Sequence, residues 1–324
     1  MKRRKSMLMI ATILVLVSIA PAYGKIKASF NLKYWLARGY LNWTVAGLTG
    51  DPYVPGSPTA FRSELDWDTN TNMVVLNGEI RPTSRFSIDG TYGAGTVLQG
   101  ICTDTDWLLD YSGSIPWIET ENATSGDSHF YNFNVNFRAL GANSKAGCLD
   151  VFAGYGSTSI NLSDTDPLSY IYYEWIGYGG YKTFPGLNST YDITYEGFRL
   201  GLRAEIHPIA VSIPVDTESF LPPLRLQLGV HANIAYSPSL DIEGEGFWNL
   251  RTDVDPSGWR FYQSGEGNSL EYNLGITIIP GEDPSNSLIE LGYERRLFEV
   301  TESEDWEGCE AKQGGLYINW MREL

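Results

Sequence analysis

The chain has 324 residues, with 23 Lys and Arg against 39 Asp and Glu, and its formal net charge is −16 at pH 7. This acidic balance argues against nucleic acid as a partner and favours basic proteins, cationic peptides or divalent cations. The three cysteines, Cys102, Cys148 and Cys309, lack the spacing of a metal site, and a Cys102–Cys309 disulfide is one pairing that the sequence leaves open.

The N-terminus has the pattern of a secretory signal peptide. A basic cluster at residues 2–5 precedes an apolar run from Met7 to Ala20, and small residues follow up to Gly24. The apolar run is about 14 residues long, whereas a membrane-spanning helix needs roughly 20. We therefore expect residues 1–24 to be removed and residues 25–324 to form one exported domain. Because four basic residues and no acidic ones leave with the signal, the mature net charge becomes −20.

Apolar and polar residues alternate with period two along the rest of the chain, which is typical of strands with one apolar face. The clearest example is 224–234, where the even-numbered residues are apolar and the odd-numbered ones include Arg225, His231 and Asn233. Ten segments are predicted as strands: 28–44, 58–81, 85–101, 129–141, 147–163, 189–206, 223–240, 260–279, 287–301 and 312–321.

Export, aromatic residues at strand ends and the alternation of short and long connections favour a membrane barrel over a soluble sandwich, and an even strand number fits bacterial barrels. The prediction is an all-β, ten-stranded antiparallel transmembrane β-barrel in the outer membrane of a Gram-negative-type bacterium. The predicted long extracellular loops are 45–57, 102–128, 164–188, 241–259 and 302–311. On the opposite, short-turn side, the apolar and proline-bearing segment 207–221 is predicted to be an insertion.

The second predicted outer loop contains the main candidate for chemistry, an Asp-Thr-Asp-Trp segment. Asp104 and Asp106 lie one residue apart, so their carboxylates can share a proton, hold a water or bind a cation. Aspartates are also ordinary turn formers, and that structural alternative stays open.

Several local motifs follow one another in an order that resembles the omptin family of outer-membrane proteases. The matching segments are Ser63-Glu-Leu-Asp-Trp67, Asp104-Thr-Asp106-Trp107, Ala153-Gly-Tyr155, Ser169-Tyr-Ile-Tyr172 and Gly315-Leu-Tyr317. The resemblance implies a ten-stranded barrel with a peptide-cleaving groove at its outer mouth. It also implies that Asp104 and Asp106 face an Asp-His dyad from the fourth outer loop across an attacking water, and that the cleaved peptides carry basic residues.

The sequence departs from the family in that fourth loop, which has acidic residues but no histidine. His129, at the start of the fourth predicted strand, is one candidate for a replacement base. Glu243 and Glu245 are the other candidates, because they are expected to converge with the Asp pair. Four converging carboxylates could share a proton as an acid dyad or bind a divalent cation through oxygen ligands.

The lipopolysaccharide contacts implied by the resemblance are reduced to Tyr155, because Ser157 and Ser159 occupy the charged positions that follow it. Two functions therefore stay open. One is a surface endopeptidase of aspartic type, with a water held by Asp104 and Asp106. The other is a non-catalytic outer-membrane barrel that binds cations or basic partners through an acidic rim. The predicted ligands are a divalent cation at that rim and outer-membrane lipid, including lipopolysaccharide, and no other cofactor is expected.

Overall fold

The computed structural model describes residues 26–50, 58–110, 113–141, 146–174, 177–178, 185–213, 224–249, 257–280, 288–302 and 306–323. The predicted signal peptide, residues 1–24, lies outside these ranges. None of the described residues belongs to a helix long and apolar enough to cross a membrane.

The described residues form eleven strands. They are β1 (Lys27–Gly50), β2 (Pro58–Arg81), β3 (Phe86–Asp110), β4 (Gly113–Leu140), β5 (Gly147–Glu174), β6 (Gly177–Tyr178), β7 (Asn188–Ile213), β8 (Leu224–Trp248), β9 (Trp259–Pro280), β10 (Leu288–Glu302) and β11 (Trp306–Glu323). The two-residue β6 pairs only with the end of β5.

The ten long strands close into an antiparallel barrel. Their order around the ring is β4-β3-β2-β1-β11-β10-β9-β8-β7-β5, and pairing between β4 and β5 completes it. The first and last strands pair from Ser29 opposite Glu323 to Trp43 opposite Cys309. Because a closed ring leaves no long strand edge unpaired, every wall strand gains two neighbours. The predicted ten-stranded antiparallel barrel is confirmed.

The barrel has two ends, which we call the turn end and the mouth. The turn end carries both described chain termini and the short connections after β2 and β4, and the mouth carries the connections after β3 and β10. The predicted long loops at the mouth are wrong for most of their residues, which continue the strands instead: 102–110, 113–128, 164–174 and 241–248. Aspartate and glycine are poor strand formers, but pairing with two neighbouring strands overrides that local preference.

The predicted insertion at 207–221 is also largely wrong within the described residues. Residues 207–213 continue β7 and pair with the beginning of β8, from Ile209 opposite Leu228 to Ile213 opposite Leu224. The remaining residues of the segment, 214–221, lie outside the described ranges.

The outer surface changes character between the two halves of the barrel. In the half next to the turn end, which we call the turn half, outward side chains are apolar and exposed. Examples are Leu32, Leu36, Val74, Leu76, Leu200, Leu202, Leu274, Ile276, Leu316 and Ile318. Such a continuous apolar band is what a lipid-facing barrel wall requires. In the half next to the mouth, the mouth half, outward side chains are mostly polar or acidic.

The interior of the turn half, called the lower lumen here, holds paired charges beside a buried apolar cluster that includes Trp35 and Tyr317. Arg138 binds Asp150 with an Nε–Oδ1 distance of 2.7 Å, and Arg296 binds Glu294 with an Nη2–Oε1 distance of 2.7 Å. Lys33 reaches the same Glu294 carboxylate. Buried charges are tolerated when each meets an opposite charge, and these pairs join side chains of the same strand or of nearby strands.

The interior of the mouth half, called the upper lumen, is an apolar core. Its buried side chains include Trp43, Leu65, Trp67, Cys102, Leu162, Tyr191, Ile193, Tyr195, Ile242, Trp248 and Phe261. The rings of Trp67 and Tyr191 meet edge to face with centroids 4.8 Å apart, and Trp43 meets Phe261 at 5.4 Å. Aromatic contacts between strands that are not neighbours therefore fill the lumen near the mouth.

Candidate functional site

A bulge in β3 decides where the Asp pair points. Val97 pairs with Gly126 of β4 and Gly100 pairs with Thr124, so β3 has one residue more than its partner over this stretch. The pairing with β2 shifts at the same place. Because successive side chains point to opposite faces of a strand, one extra residue moves all residues beyond it to the other face. Odd-numbered β3 residues face the lumen below the bulge, and even-numbered ones, including Asp104, face it above.

Asp104 and Asp106 therefore lie on the lumen side of the wall, near the mouth. Asp104 pairs with Leu65 of β2, and Asp106 pairs with Ser63, both of which are fully buried. The Ser63 hydroxyl donates to Asp104 Oδ1 at 3.0 Å. Both aspartates are strand residues, partly buried, and not loop residues as the sequence suggested.

A third carboxylate, Asp164 of β5, lies deeper in the upper lumen and is 1% exposed. The Thr124 hydroxyl donates to it at 2.5 Å, and the Trp67 indole N–H donates at 3.1 and 3.2 Å to its two oxygens. The Cys102 thiol also hydrogen-bonds it. Burial raises the pKa of Asp164 to about 6, although these hydrogen bonds act in the opposite direction.

The sequence did not point to Asp164 as a site residue, because the predicted fifth strand ended at residue 163 and Asp164 began the predicted loop 164–188. A signal was present: Asp164 continues the even-numbered face of β5 that carries Phe152, Ile160 and Leu162. An acid in phase with core-facing apolar residues indicates a buried carboxylate.

A second bulge, in β8, turns the other candidate acids away from the Asp pair. Ser237 pairs with Ser269 of β9, and Leu240 pairs with Gly267. The two β8 residues are three positions apart, whereas their β9 partners are two positions apart. The extra residue lies at Pro238 or Ser239, and proline is tolerated at such irregular positions. Below this bulge the odd-numbered residues of β8 face the lumen, and above it the even-numbered ones do.

The expected convergence of four carboxylates is therefore contradicted. Glu243 and Glu245 lie on the outside of the barrel wall, where Glu243 is exposed and Glu245 accepts a hydrogen bond from Arg260 Nη1 at 2.8 Å. Ile242 and Trp248 take the lumen-facing positions and are buried. The register of β8, which a single extra residue sets, is the physical reason for the difference.

His129 also faces outward, because Ser128 and Phe130 on either side of it are buried in the lumen. Its Nδ1 lies 3.8 Å from Asp127 on the outer surface. The structure does not bring His129 near the Asp pair. His231 lies in the lower lumen, where its Nε2 is 2.5 Å from the Tyr317 hydroxyl.

The wall of β7 to β9 opposite the Asp pair has no charged lumen-facing side chain in the part of the mouth half that the structure describes. The lumen faces of these strands carry Ser189, Tyr191, Ile193, Tyr195, Leu240, Ile242, Gly244, Gly246, Trp248, Trp259, Phe261, Gln263, Gly265 and Gly267. None of these is a histidine, a carboxylate or a basic residue. Among the described residues, no three His, Cys, Asp or Glu side chains are grouped so that they could hold a metal ion.

All three cysteines are free thiols, so the Cys102–Cys309 pairing does not form. Cys309 contacts the Tyr195 hydroxyl at 3.5 Å, whereas Cys102 contacts Asp164. Burial raises the pKa of the Cys309 thiol to about 12 and that of Cys102 well above its ordinary value. These thiols are thus packed as core groups and carry no charge at neutral pH.

Tyr155, the predicted lipid contact, lies on the outer face of β5 at the boundary of the apolar band. Its ring packs edge to face against Phe198 of β7, with centroids 5.4 Å apart. Phe198 is 75% exposed. Aromatic side chains at this height are typical of the interface between a barrel and the membrane surface.

Comparison with known proteins bears on the fold alone. No protein-family model matches the chain, and no protein of curated function matches it. The crystal structure of the outer membrane protease OmpT from Escherichia coli aligns with 92% of this chain and 97% of its own, at 14% identity and a TM-score of 0.63. The fold is omptin-like. At this identity the likeness does not establish membership of the omptin family.

Two further solved structures are less similar. The β domain of the Bordetella autotransporter BrkA covers 93% of this chain and 100% of its own, at 9% identity and a TM-score of 0.27. The CymD monoaromatic hydrocarbon channel covers 92% of this chain and 88% of its own, at 6% identity and a TM-score of 0.29.

Proposed function

We propose that this chain is an outer-membrane barrel of omptin-like fold that binds cationic partners on its outer surface and does not cleave peptides. The observation that carries the proposal is the bulge in β8. It removes Glu243 and Glu245 from the lumen, where they would complete a catalytic site, and it places them on the outside of the wall, where they add to an acidic surface.

The described residues lack the half of a catalytic site that would complete the Asp pair, namely a histidine or a further carboxylate on the opposite wall. Hydrolysis by a carboxylate pair needs a second group that takes or gives the proton in the transition state. Asp104 and Asp106 face the wall of β7 to β9, whose described lumen-facing side chains in the mouth half include no histidine, carboxylate or basic residue. Beneath them, the contact between Trp67 and Tyr191 occupies the space in which a substrate groove would continue.

The outer surface of β7 to β9 in the mouth half is rich in carboxylates, which supports binding of cationic partners. We call this surface the acidic face, and its members are Asp192, Glu196, Asp241, Glu243, Glu245 and Glu266. The acids stand directly opposite one another on neighbouring strands. Asp192 pairs with Glu245, and Asp241 pairs with both Glu196 and Glu266.

Like charges placed directly across a pair of strands destabilise a sheet. The acidic face has three such pairs, and Arg260 is the basic side chain that the structure places beside it. Partial burial and the neighbouring carboxylates of Glu245 and Asp127 raise the pKa of Asp192, which is the sign of a negative local potential. A surface of this kind attracts partners rich in Lys and Arg and speeds their association at low salt.

Membrane lipid is the second proposed partner. The apolar band of the turn half supplies the lipid-facing wall, and Tyr155 with Phe198 supplies an aromatic contact at its edge. Because the acidic face lies on the mouth side of this edge, lipopolysaccharide phosphates would meet it only with divalent cations between them. We therefore place the lipid contact at Tyr155 and the cationic partner at the acidic face.

Binding of a fluorescent oligolysine peptide to the protein reconstituted in lipid bilayers tests the proposal. We expect the affinity to fall with rising salt, and to fall on the order of tenfold when Asp241→Asn, Glu243→Gln and Glu245→Gln are combined. The matched control is Glu119→Gln with Glu121→Gln, which removes outward charges of β4 and should leave most of the binding. Equal loss in both variants, or no binding at low salt, would contradict the proposal.

A peptidase is the second candidate, because Asp104 and Asp106 face the mouth side by side in an omptin-like fold. The same reconstituted protein, incubated with a fluorogenic peptide carrying paired basic residues from pH 4 to pH 9, separates the two functions. Cleavage that disappears in Asp106→Asn would replace the binding proposal with an enzymatic one.

A further inference from the structure

Asp164 differs from the other deeply buried carboxylates of the barrel. In the lower lumen, Asp150 meets Arg138, and Asp89 meets Arg203 at 3.4 Å. Asp164 is equally buried, yet its hydrogen-bond donors are the neutral groups of Trp67, Thr124 and Cys102. These donors belong to β2, β4 and β3, so one carboxyl group of β5 ties together four strands of the upper lumen.

The groups that face Asp164 are neutral or acidic on every described element around it. β2 contributes the indole of Trp67, and β4 contributes the Thr124 hydroxyl. β3 contributes the Cys102 thiol and, nearer the mouth, the Asp104 carboxylate, and both Asp104 and Asp164 act on that thiol. β7 contributes the Tyr191 hydroxyl, which accepts a hydrogen bond from Trp248 of β8 at 2.8 Å.

Such surroundings favour the neutral acid. A protonated carboxyl group accepts the hydrogen bonds of Trp67 and Thr124 without burying charge. An ionised one places a negative charge in an aromatic core where no described basic group offsets it. The hydrogen bonds of Trp67, Thr124 and Cys102 offset part of that cost, and water can offset the rest only by separating Asp164 from its partners.

We propose that Asp164 is a proton-operated latch of the upper lumen: its protonated form holds β2 to β5 packed against the aromatic core, and loss of the proton to solvent loosens that packing and admits water. This device lies inside the barrel and is independent of the acidic face on its outside.

The sign of the pH dependence follows from the direction of the pKa shift. The pKa of Asp164 is raised from an ordinary value near 3.8 to about 6 in the packed state. The stabilisation is therefore complete at a pH below the ordinary value and is lost as the pH rises through about 6. This is opposite to ordinary acid denaturation, in which carboxylates stabilised by ion pairs are lost at low pH.

Hydrogen–deuterium exchange of the reconstituted wild-type protein tests the latch. After correction for the intrinsic exchange rate, protection of residues 160–165 and 189–196 should be on the order of tenfold lower at pH 8 than at pH 5. Residues 198–206, in the turn half of β7, should keep the same protection and serve as the internal control. Equal protection of the upper lumen at both pH values would overturn the proposal without any variant.

Two variants sharpen the test. Asp164→Asn keeps the shape and the acceptor oxygen but cannot ionise, so its protection should not change between pH 5 and pH 8. Asp127→Asn removes an outward-facing acid of β4 and should retain the wild-type pH dependence. A pH-dependent loss that persists in Asp164→Asn would assign the effect to another group and overturn the proposal.

Discussion

The two halves of the barrel place apolar side chains on opposite faces of the same strands. On β1, the outward residues Leu32 and Leu36 are apolar in the turn half, and the lumen-facing Lys33 is charged. Further along the strand, Leu41 faces the lumen as part of the apolar core, and Asn42 faces outward. The turn half is therefore built like a membrane barrel and the mouth half like a water-soluble barrel.

The difference teaches that alternation alone does not reveal which face is the core. Period two continues through both halves, and the surrounding medium decides whether apolar side chains point outward or inward. For the candidate site this matters directly, because Asp104 and Asp106 lie next to a packed apolar core and not at the head of a polar groove.

Removing the bulge in β8 is expected to have the largest effect. Deletion of Ser239 would exchange the faces of the mouth half of β8, moving Ile242 and Trp248 outward and Glu243 inward. Buried acids would then replace core residues, so we expect no folded barrel, measured as loss of heat-modifiable mobility on a gel. Ser239→Ala keeps the chain length and should fold normally. A stable deletion variant would show that the two faces of β8 are interchangeable.

Removing one cation from the charge network of the turn half should have the second-largest effect on stability. Arg296→Leu leaves the buried Glu294 and Glu271 carboxylates with one cation fewer, which should lower the free energy of unfolding by about 3 kcal/mol. The control is Arg260→Leu on the outer surface, where loss of an exposed pair should cost about 1 kcal/mol or less. Both are measured by urea unfolding in lipid vesicles, and similar costs would contradict a paired-charge core.

Alanine substitution of single apolar side chains should cost more stability in the upper lumen than on the lipid-facing surface of the turn half. Ile193 is 1% exposed in the upper lumen, and its replacement by alanine should cost about 2 to 4 kcal/mol because a cavity remains. Leu200, on the same strand but facing outward in the turn half, is 58% exposed, and lipid can fill the space left by Leu200→Ala. A larger cost at Leu200 would reverse our assignment of core and lipid faces.

The smallest expected effect concerns calcium. A cation site at the mouth would raise the melting temperature with added calcium by mass action, and Asp106→Asn would remove that gain. Because Glu243 and Glu245 face away from the Asp pair, we expect no calcium-dependent gain that Asp106→Asn abolishes. A clear gain that is lost in Asp106→Asn but kept in Glu243→Gln would establish a cation site on the lumen side.

The sequence predicted much of the candidate site but not its arrangement. It identified Asp104 and Asp106, and the structure places both near the mouth. It placed Glu243 and Glu245 in the predicted fourth outer loop, 241–259, just after the strand that the structure continues through a bulge at Pro238 or Ser239. The bulge there arises from how β8 fits between β7 and β9, and no local pattern marks which residue is the extra one.

The sequence by itself determined the ten antiparallel strands, because period-two alternation and turn residues are local properties of the chain. Tertiary structure decided how far the strands extend, because pairing with two neighbours keeps segments such as 102–110 and 241–248 in the wall against their own preference. It also decided which way Asp104, Asp106, Glu243 and Glu245 face, since one extra residue in β3 and one in β8 each exchange the faces of a strand. Register is a relation between strands, and it forms only when the barrel closes.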